Sequence, residues 1–547
     1  MGSFATDIYQ AKYAHVKTNG TKETWQEIAK RVAYGVFGAI GVQANEIANR
    51  VAEMIENREL MPGGRYLYAT GRPFHQTNNC FLFRPDDSRE GWSSYVRNAM
   101  MCLMTGGGVG GWYGEIRASG EPIRKTGGTA SGPLSLMEMV NEVGRHVMQG
   151  GARRSAIWAG LPWNHADIRE FITMKNWPPE VRAMKERDFN YPARMDMTNI
   201  SVALNDSFFA AIHDPRFENA WASEVYWTVI KRMLKTGEPG FSVDCGADAY
   251  ENLRNACTEI TSPDDSDVCN LVHINMARMK DLVQFRFTVR SATWFALAGT
   301  VYSDVPFDEV SHVREKNRRL GVGLMGIHEW LMQRGKPYGP DEELERWLEV
   351  YKEETEVVSE YYSKLWGMTR PVKTRAIAPT GTTGIVAETT TGCEPMFCAA
   401  YKRRYLSDGN TWKFQFVVDP TARRMVEEYG RKPEDLEDAY SLAENPERRV
   451  EFQAFLQQYV DHGISSTINL PAWGTRHNNE GTVESFGRML LRNLPRLRGI
   501  TVFPDGARGG QPLTTVPYET AVSNEGDVFE ETGDVCQLTK DGASCGD

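Results

Sequence analysis

The sequence is short of several things, and each absence excludes a class of protein. It has no run of about eighteen apolar residues, so nothing reads as a membrane-spanning helix. It has no lysine- and arginine-dense block, and its formal net charge is −10, which argues against an extended nucleic-acid surface. Small phosphorylated ligands remain compatible with that charge, because they need only a helix end and a few arginines. None of the 9 cysteines (80, 102, 245, 257, 269, 393, 398, 536 and 545) forms a Cys-x-x-Cys pair, so no metal site is expected. An odd, dispersed cysteine set with no charged-then-apolar opening predicts reduced thiols and a cytoplasmic location. No internal repeat is visible.

What remains is ordinary in bulk. At 547 residues, 41% hydrophobic and 24% charged, the chain can bury a large core in a few domains. Helical spacing of apolar residues predicts helices over Glu23–Gly38 and Ala44–Leu60, the second ended by Met61-Pro62-Gly63-Gly64. From Asn78 onward short apolar runs alternate with helical patterns, which is the grammar of an α/β domain. Helices are expected at Pro133–Gln149, with proline at its start, and at Glu342–Trp366. Strands are expected at Asn199–Leu204, Thr467–Leu470 and Gly499–Phe503. After about Pro517 the chain turns acidic and poor in large apolar residues, so residues 518–547 read as a flexible tail. That tail nevertheless carries Cys536 and Cys545. A flexible linker from Gly509 to Cys536 has a root-mean-square reach of roughly 30 Å, so these thiols could visit a distant site.

Asn255-Ala256-Cys257-Thr258-Glu259 places an amide, a thiol and a carboxylate at alternate positions. In an extended segment these would face one way and could meet a small substrate together, a plausible set for thiol chemistry beside a base. An ordinary strand with a buried cysteine has the same spacing. Gly106–Gly111 formally fits GxGxxG but follows a helix-like run rather than a strand, so a tight turn competes with dinucleotide binding. Gly127-Gly128-Thr129-Ala130-Ser131-Gly132-Pro133 could offer backbone N–H groups to an anion, with Arg117, Arg124, Arg153 and Arg154 near it in sequence. Pro379-Thr380-Gly381-Thr382-Thr383-Gly384 suits phosphate binding or plain helix capping equally.

Taken in order, these stretches resemble the catalytic subunits of ribonucleotide reductases, and above all the adenosylcobalamin-dependent class II enzymes. The resemblance runs from about Tyr13 to the C-terminal cysteines. It rests on Asn78-Asn79-Cys80, Thr105–Gly110, Gly127–Pro133, Ala152-Arg153-Arg154-Ser155, Gly237-Glu238-Pro239-Gly240, the Asn255/Cys257/Glu259 set, Cys269-Asn270-Leu271, Lys316–Gly321 and Pro379–Thr382. Ala256 and Thr258 depart from the family's pattern, as does the wider spacing of the tail cysteines, and none of these removes a reacting group.

The resemblance implies a helical N-terminal region over 1–77 without an ATP cone. It implies a ten-stranded α/β barrel over 78–517, built of two antiparallel five-stranded parallel halves around a central finger loop. By resemblance Cys257 at the loop tip becomes a thiyl radical and takes the ribose 3′ hydrogen. Glu259 takes the 3′-OH proton and Asn255 orients the substrate. Cys80 and Cys269 give two electrons and form a disulfide, which Cys536 and Cys545 re-reduce by exchange with a thioredoxin- or glutaredoxin-like protein.

The turn Pro379, Thr380, Gly381, Thr382 and Thr383 would hold the substrate phosphates. Asp87, Arg117 and Arg124 would hold a (deoxy)nucleoside triphosphate specificity effector, and a loop of roughly 177–194 would link effector to substrate. Class I subunits relay a radical through adjacent tyrosines in a late strand, but here that strand reads Gly499-Ile500-Thr501-Val502-Phe503-Pro504. Asp534-Val535-Cys536-Gln537 is not a class III glycyl-radical context. Adenosylcobalamin is therefore the expected cofactor, although no DxHxxG motif is present. A class I large subunit needing a metal-containing partner and a catalytically silent nucleotide-binding homologue are the alternatives. Little chain separates Cys80 from Gly127, so the insertion of monomeric class II enzymes is missing and a homodimer is expected.

Overall fold

The computed structural model describes residues 1–41, 46–147, 155–188, 191–213, 220–407, 411–507 and 513–530, with short strand pieces at 538–539 and 542–543. The chain opens with helices. Trp25–Gly38 starts at a capping box in which Thr24 Oγ1 accepts from the Glu27 N–H, while the Glu27 carboxylate accepts from the Thr24 N–H at 2.7 Å. Its face of Ile28, Val32, Val36 and Phe37 is fully buried against the rest of the core. The next helix, Glu46–Glu56, stops short of the expected Leu60. Leu60–Pro62 instead forms strand β1, claimed by pairing with residues 272–274.

Five strands then line up in parallel: β2 (Cys80–Phe83), β3 (Gly108–Trp112), β4 (Ile157–Pro162), β5 (Thr198–Asn205) and β6 (Gly240–Asp244). Helices such as Arg89–Met104, Pro133–His146 and Ala220–Thr236 connect them. Buried on both faces, these strands read as near-continuous apolar runs rather than as alternation.

A second parallel group follows. β7 (Leu271–Asn275) pairs with β8 (Gly321–Met325), and β9 (Thr467–Leu470) pairs with β10 (Gly499–Pro504). Between them lie the parallel bridges Val322↔Arg375 and Ile377↔Ile464. β10 meets β6 antiparallel through Gly499↔Ser242 and Ile500↔Phe241. Asp267–Val268, just ahead of β7, meets β2 antiparallel through Phe81↔Val268. The molecule is thus a mixed α/β protein. No helix among the described residues is long and apolar enough to cross a membrane.

Two expectations need correction. Gly106–Gly111, where a tight turn competed with a weak dinucleotide-binding reading, keeps a turn only at its start, and Gly108–Gly111 belongs to β3 within the sheet. The boundary expected at 518 is also misplaced. Tyr518–Ser523 is a helix whose Ala521 is fully buried against Ala400 and Val418. Leu513–Thr515 and Val528–Glu530 are the outer strands of a four-stranded antiparallel sheet built on Ala400–Ser407 and Thr411–Val418. Backbone pairing on both edges orders this segment despite its polar composition.

Candidate active site

Leu253–Arg254 and Thr261–Ser262 form a short antiparallel hairpin whose tip carries residues 255–260. It reaches the sheet because two β3 residues have no side chain. A Cβ on Gly110 would run into the Arg254 carbonyl, and one on Gly108 would lie 2.9 Å from the Ala256 Cβ and 3.1 Å from the Cys80 Sγ. Glycine is required here for close approach rather than for a turn.

The hairpin is clamped at its base. The buried Arg254 guanidinium donates to the Val243 carbonyl at 2.8 Å and to that of Leu253 at 2.9 Å. Ser262 Oγ and Arg319 Nε both donate to Asp267 Oδ2, at 2.6 and 2.7 Å. On the far side the Gly463 N–H donates to the Glu259 carbonyl at 2.7 Å, and the Thr261 N–H donates to His462 Nδ1 at 3.2 Å.

The tip itself is a turn. The Thr258 N–H donates to the Asn255 carbonyl at 3.0 Å, and Asn255 Oδ1 accepts from the Ile260 N–H at 3.0 Å. Thr258 sits at φ +70°, a left-handed conformation uncommon for a β-branched residue and locally strained. The extended alternation expected for Asn255, Cys257 and Glu259 is therefore wrong as a mechanism. A tight turn, not a strand, places the three residues together.

Around the tip the thiols converge. The Cys80 N–H donates to Cys269 Sγ at 3.0 Å and the Cys269 N–H donates to the Cys80 carbonyl at 3.1 Å, across 189 residues of sequence. Hydrogen bonds from the Cys257 and Cys269 thiols pull the Cys80 thiol well down. Burial pushes the Cys269 thiol well up. All three are reduced cysteines; Cys80 and Cys269 are buried, while Cys257 is half-buried. Glu259, also buried, is pushed up to about 8, first by desolvation and then by the neighbouring Cys80 charge. Glu259 Oε2 and Asn255 Nδ2 are buried without a hydrogen-bond partner. Such orphaned groups mark where a ligand belongs.

Cys80, Cys257 and Glu259 open onto a cavity of about 260 Å³, with Asn255 and Cys269 behind them. Its walls include Cys80, Cys257, Glu259, His273 and Ala378, and it ends at Pro379, Thr380, Gly381, Thr382 and Thr383. Thr380, at φ +47°, accepts on Oγ1 from the Gly392 N–H at 2.8 Å, and Gly381 opens the helix Gly381–Ala387 with empty space beside it. Lys12, Tyr13 and Arg65 complete the wall from the N-terminal helices.

The expected effector residues lie apart from this cavity. Arg117 Nε donates to Asp87 Oδ2 at 2.6 Å and both side chains are half-exposed. Arg124 is exposed near the tip of a loop closed by the Pro122↔Thr129 bridge. The segment expected to link effector and substrate contains the helix Pro179–Arg187, and Trp177 Nε1 donates to the Arg194 carbonyl at 2.8 Å. Arg153, Arg154, Cys536 and Cys545 lie outside the described residues.

Sequence reading missed His273 and His462. The first has a signal in hindsight, since Leu271, His273 and Asn275 share one face of a strand. The second has none, because its contact with the hairpin spans 201 residues.

Comparison with known proteins agrees with this geometry. The ribonucleotide reductase barrel domain matches residues 78–231, 216–355 and 369–493. The chain belongs to the ribonucleotide reductase family. It is 26% identical over 526 residues to a vitamin B12-dependent ribonucleoside-diphosphate reductase of Mycobacterium tuberculosis, covering 86% of this chain and 73% of the relative. It is 24% identical over 692 residues to a Mycobacterium phage D29 protein provisionally named an adenosylcobalamin-dependent ribonucleoside-triphosphate reductase, covering 94% and 95%. The fold matches a crystal structure of a B12-dependent class II ribonucleotide reductase with a TM-score of 0.72 at 17% identity, covering 95% of this chain and 93% of that one.

Proposed function

We propose that this chain reduces ribonucleotides to 2′-deoxyribonucleotides by thiyl-radical chemistry at Cys257, with adenosylcobalamin as the radical source. The observation that carries the reading is the convergence of Cys257, Glu259 and Cys80 on one cavity that ends at the Pro379–Thr383 turn, with Cys269 beside Cys80. The bridges joining β7, β8, residues 374–378, β9 and β10 support a closed ring of ten strands. So do the antiparallel contacts of β10 with β6 and of Asp267–Val268 with β2.

The cofactor asks of the protein a hydrogen-atom donor with an open approach. Cys257 meets this as a half-buried thiol on the cavity wall, with the small Ala156 on the same wall. These two residues would lie against it. When bound it supplies the hydrogen-abstracting radical that turns the Cys257 thiol into a thiyl.

The remaining steps belong to the chain. The Cys257 thiyl takes the hydrogen atom from C3′ of the ribose. Glu259 accepts the 3′-OH proton while the 2′-OH leaves as water with a proton from one thiol of the Cys80/Cys269 pair. The hydrogen of the other thiol goes to C2′, the two sulfurs join as one disulfide and so supply two electrons, Glu259 returns its proton to the 3′ oxygen, and Cys257 returns its hydrogen to C3′. Asn255 Nδ2, free to donate, holds the sugar. Backbone N–H groups at 381–383 would receive the phosphates.

Relatives named for both diphosphate and triphosphate substrates leave either compatible. By the same reading Cys536 and Cys545 exchange with the active-site disulfide and are reduced in turn by a thioredoxin- or glutaredoxin-like protein. Asp87, Arg117 and Arg124 take a (d)NTP effector in a homodimer. The class I alternative is disfavoured by position, because Tyr361 and Tyr362 sit on the helix Glu342–Leu365, with Tyr362 packed on Trp294 and Trp366. A 3′-deuterated ribonucleotide tests the radical step. Turnover slows and the product keeps deuterium at C3′ if the reading holds; an unchanged rate would count against it.

A further inference from the structure

His273 is a polar side chain with nothing to do in the protein alone. It is 2% exposed, on β7, and faces the same cavity as Cys257 and Glu259. Neither ring nitrogen has a hydrogen bond of good geometry, and the Met61 backbone makes only a weak one. Burial lowers its pKa to about 4, with the Met61 backbone opposing weakly, so the ring is neutral and keeps one N–H to donate and one nitrogen to accept. A buried imidazole with both nitrogens poorly satisfied costs stability, and such a cost persists where a ligand repays it.

Register says which part of a ligand it meets. His273 is paired with Gly323, and the Val322↔Arg375 bridge puts Gly323 level with Ala376. Ala378, the last residue before the phosphate turn, is two residues further on, about 7 Å at strand rise. Cys269 is four residues back, about 13 Å in the other direction. The imidazole therefore stands between the thiols that act on the sugar and the turn that would hold the phosphates.

We propose that His273 is a substrate-positioning residue whose ring N–H donates to the nucleotide between its ribose and its phosphates, at the 5′ oxygen or an α-phosphate oxygen. This rests on the reading of the cavity as the ribonucleotide site. The contact fixes the distance from the phosphate turn to C3′, so that anchoring the phosphates presents the correct carbon to Cys257. Gly323 makes room for it, since a Cβ there would lie 3.0 Å from His273 Cδ2.

The test is equilibrium binding of ribonucleoside di- and triphosphates to the full chain without cofactor, comparing wild type, His273→Leu and His273→Gln, with melting temperature read on each. The inference expects His273→Leu to bind about tenfold or more weakly while melting at the same temperature or higher, because it removes a poorly satisfied buried polar group. His273→Gln, which keeps a donor, recovers much of the affinity. Equal nucleotide affinity in wild type and His273→Leu overturns the inference, as does a melting temperature that falls in parallel with affinity in both variants. A wild-type chain that binds no ribonucleotide overturns the cavity reading instead, so the two failures are distinguishable.

Discussion

The carbonyl oxygen of Arg254 occupies the place where a side chain on Gly110 would begin. A residue of the central hairpin and a residue of the sheet thus share one volume, and the reactive tip reaches the cavity only because β3 yields it. Gly110→Ala is expected to push the hairpin back rather than abolish folding. Overpacking of this kind costs about 1–3 kcal/mol, enough to lower the melting temperature visibly. Activity should fall much further than stability, at least tenfold, because a displacement of about 1 Å at a reacting group costs on the order of a hundredfold. Circular dichroism, thermal melting and turnover on one preparation check this.

Glu259 should leave its mark in two pH profiles. Its carboxyl ionises at about 8 in the folded chain and near 4.3 when unfolded. Between those values the folded chain holds a proton that the unfolded chain has released, so this group's contribution to stability falls as pH rises from about 4.3 to about 8. Glu259→Gln removes that slope, and its advantage in melting temperature should be larger at pH 8 than at pH 5. Activity runs the opposite way, since only the ionised form accepts the 3′-OH proton. Wild-type kcat/KM rises with pH until about 8, and Glu259→Gln loses on the order of a hundredfold or more.

The proposed function divides the thiols into a reacting pair and a relay. A reduced chain given substrate without external reductant should make a limited amount of product and acquire a Cys80–Cys269 disulfide, read by peptide mass spectrometry. Cys269→Ser blocks that product. Replacing Cys536 and Cys545 with Ser spares turnover driven by dithiothreitol and removes turnover driven by a thioredoxin-like protein. A double variant as active as wild type with the protein reductant would remove the tail from the electron path.

Much of this was legible in the chain, and the reasons differ by element. Thr467–Leu470 and Pro133–His146 carry local signals, an apolar run and a proline-started amphipathic pattern, so their placement needed no tertiary information. Cys80 and Cys269 meet across 189 residues, so no spacing rule pairs them, and only resemblance to a family joined them in advance. Asn255, Cys257 and Glu259 are grouped by a turn rather than by the extended alternation expected, because a left-handed Thr258 bends the chain in a way that sequence alternation does not reveal. Gly106–Gly111 did not announce its strand for a related cause. Glycine kept for backbone approach looks the same in sequence as glycine kept for a phosphate. Residues 518–530 were read as unstructured because their partners, the strands Ala400–Ser407 and Thr411–Val418, lie a hundred residues away in sequence.

The effector proposal has its own check. Asp87 and Arg117 form an ion pair with both side chains partly exposed, a pairing worth only about 0–1 kcal/mol in isolation. Replacing Arg117 with Ala should therefore leave the melting temperature nearly unchanged. Binding of a deoxynucleoside triphosphate should weaken severalfold or more, and its influence on which ribonucleotide is reduced should fade. Unaltered effector binding and base selection in this variant would place the effector elsewhere.

The most direct measurement is deoxyribonucleotide formation by the purified full chain with dithiothreitol, a ribonucleotide and an effector, with and without adenosylcobalamin, beside Cys257→Ala. The account predicts product that requires the cofactor and disappears in Cys257→Ala while nucleotide binding persists. A folded, nucleotide-binding chain that makes no product with the cofactor present would contradict it, as would product formation that survives the loss of Cys257.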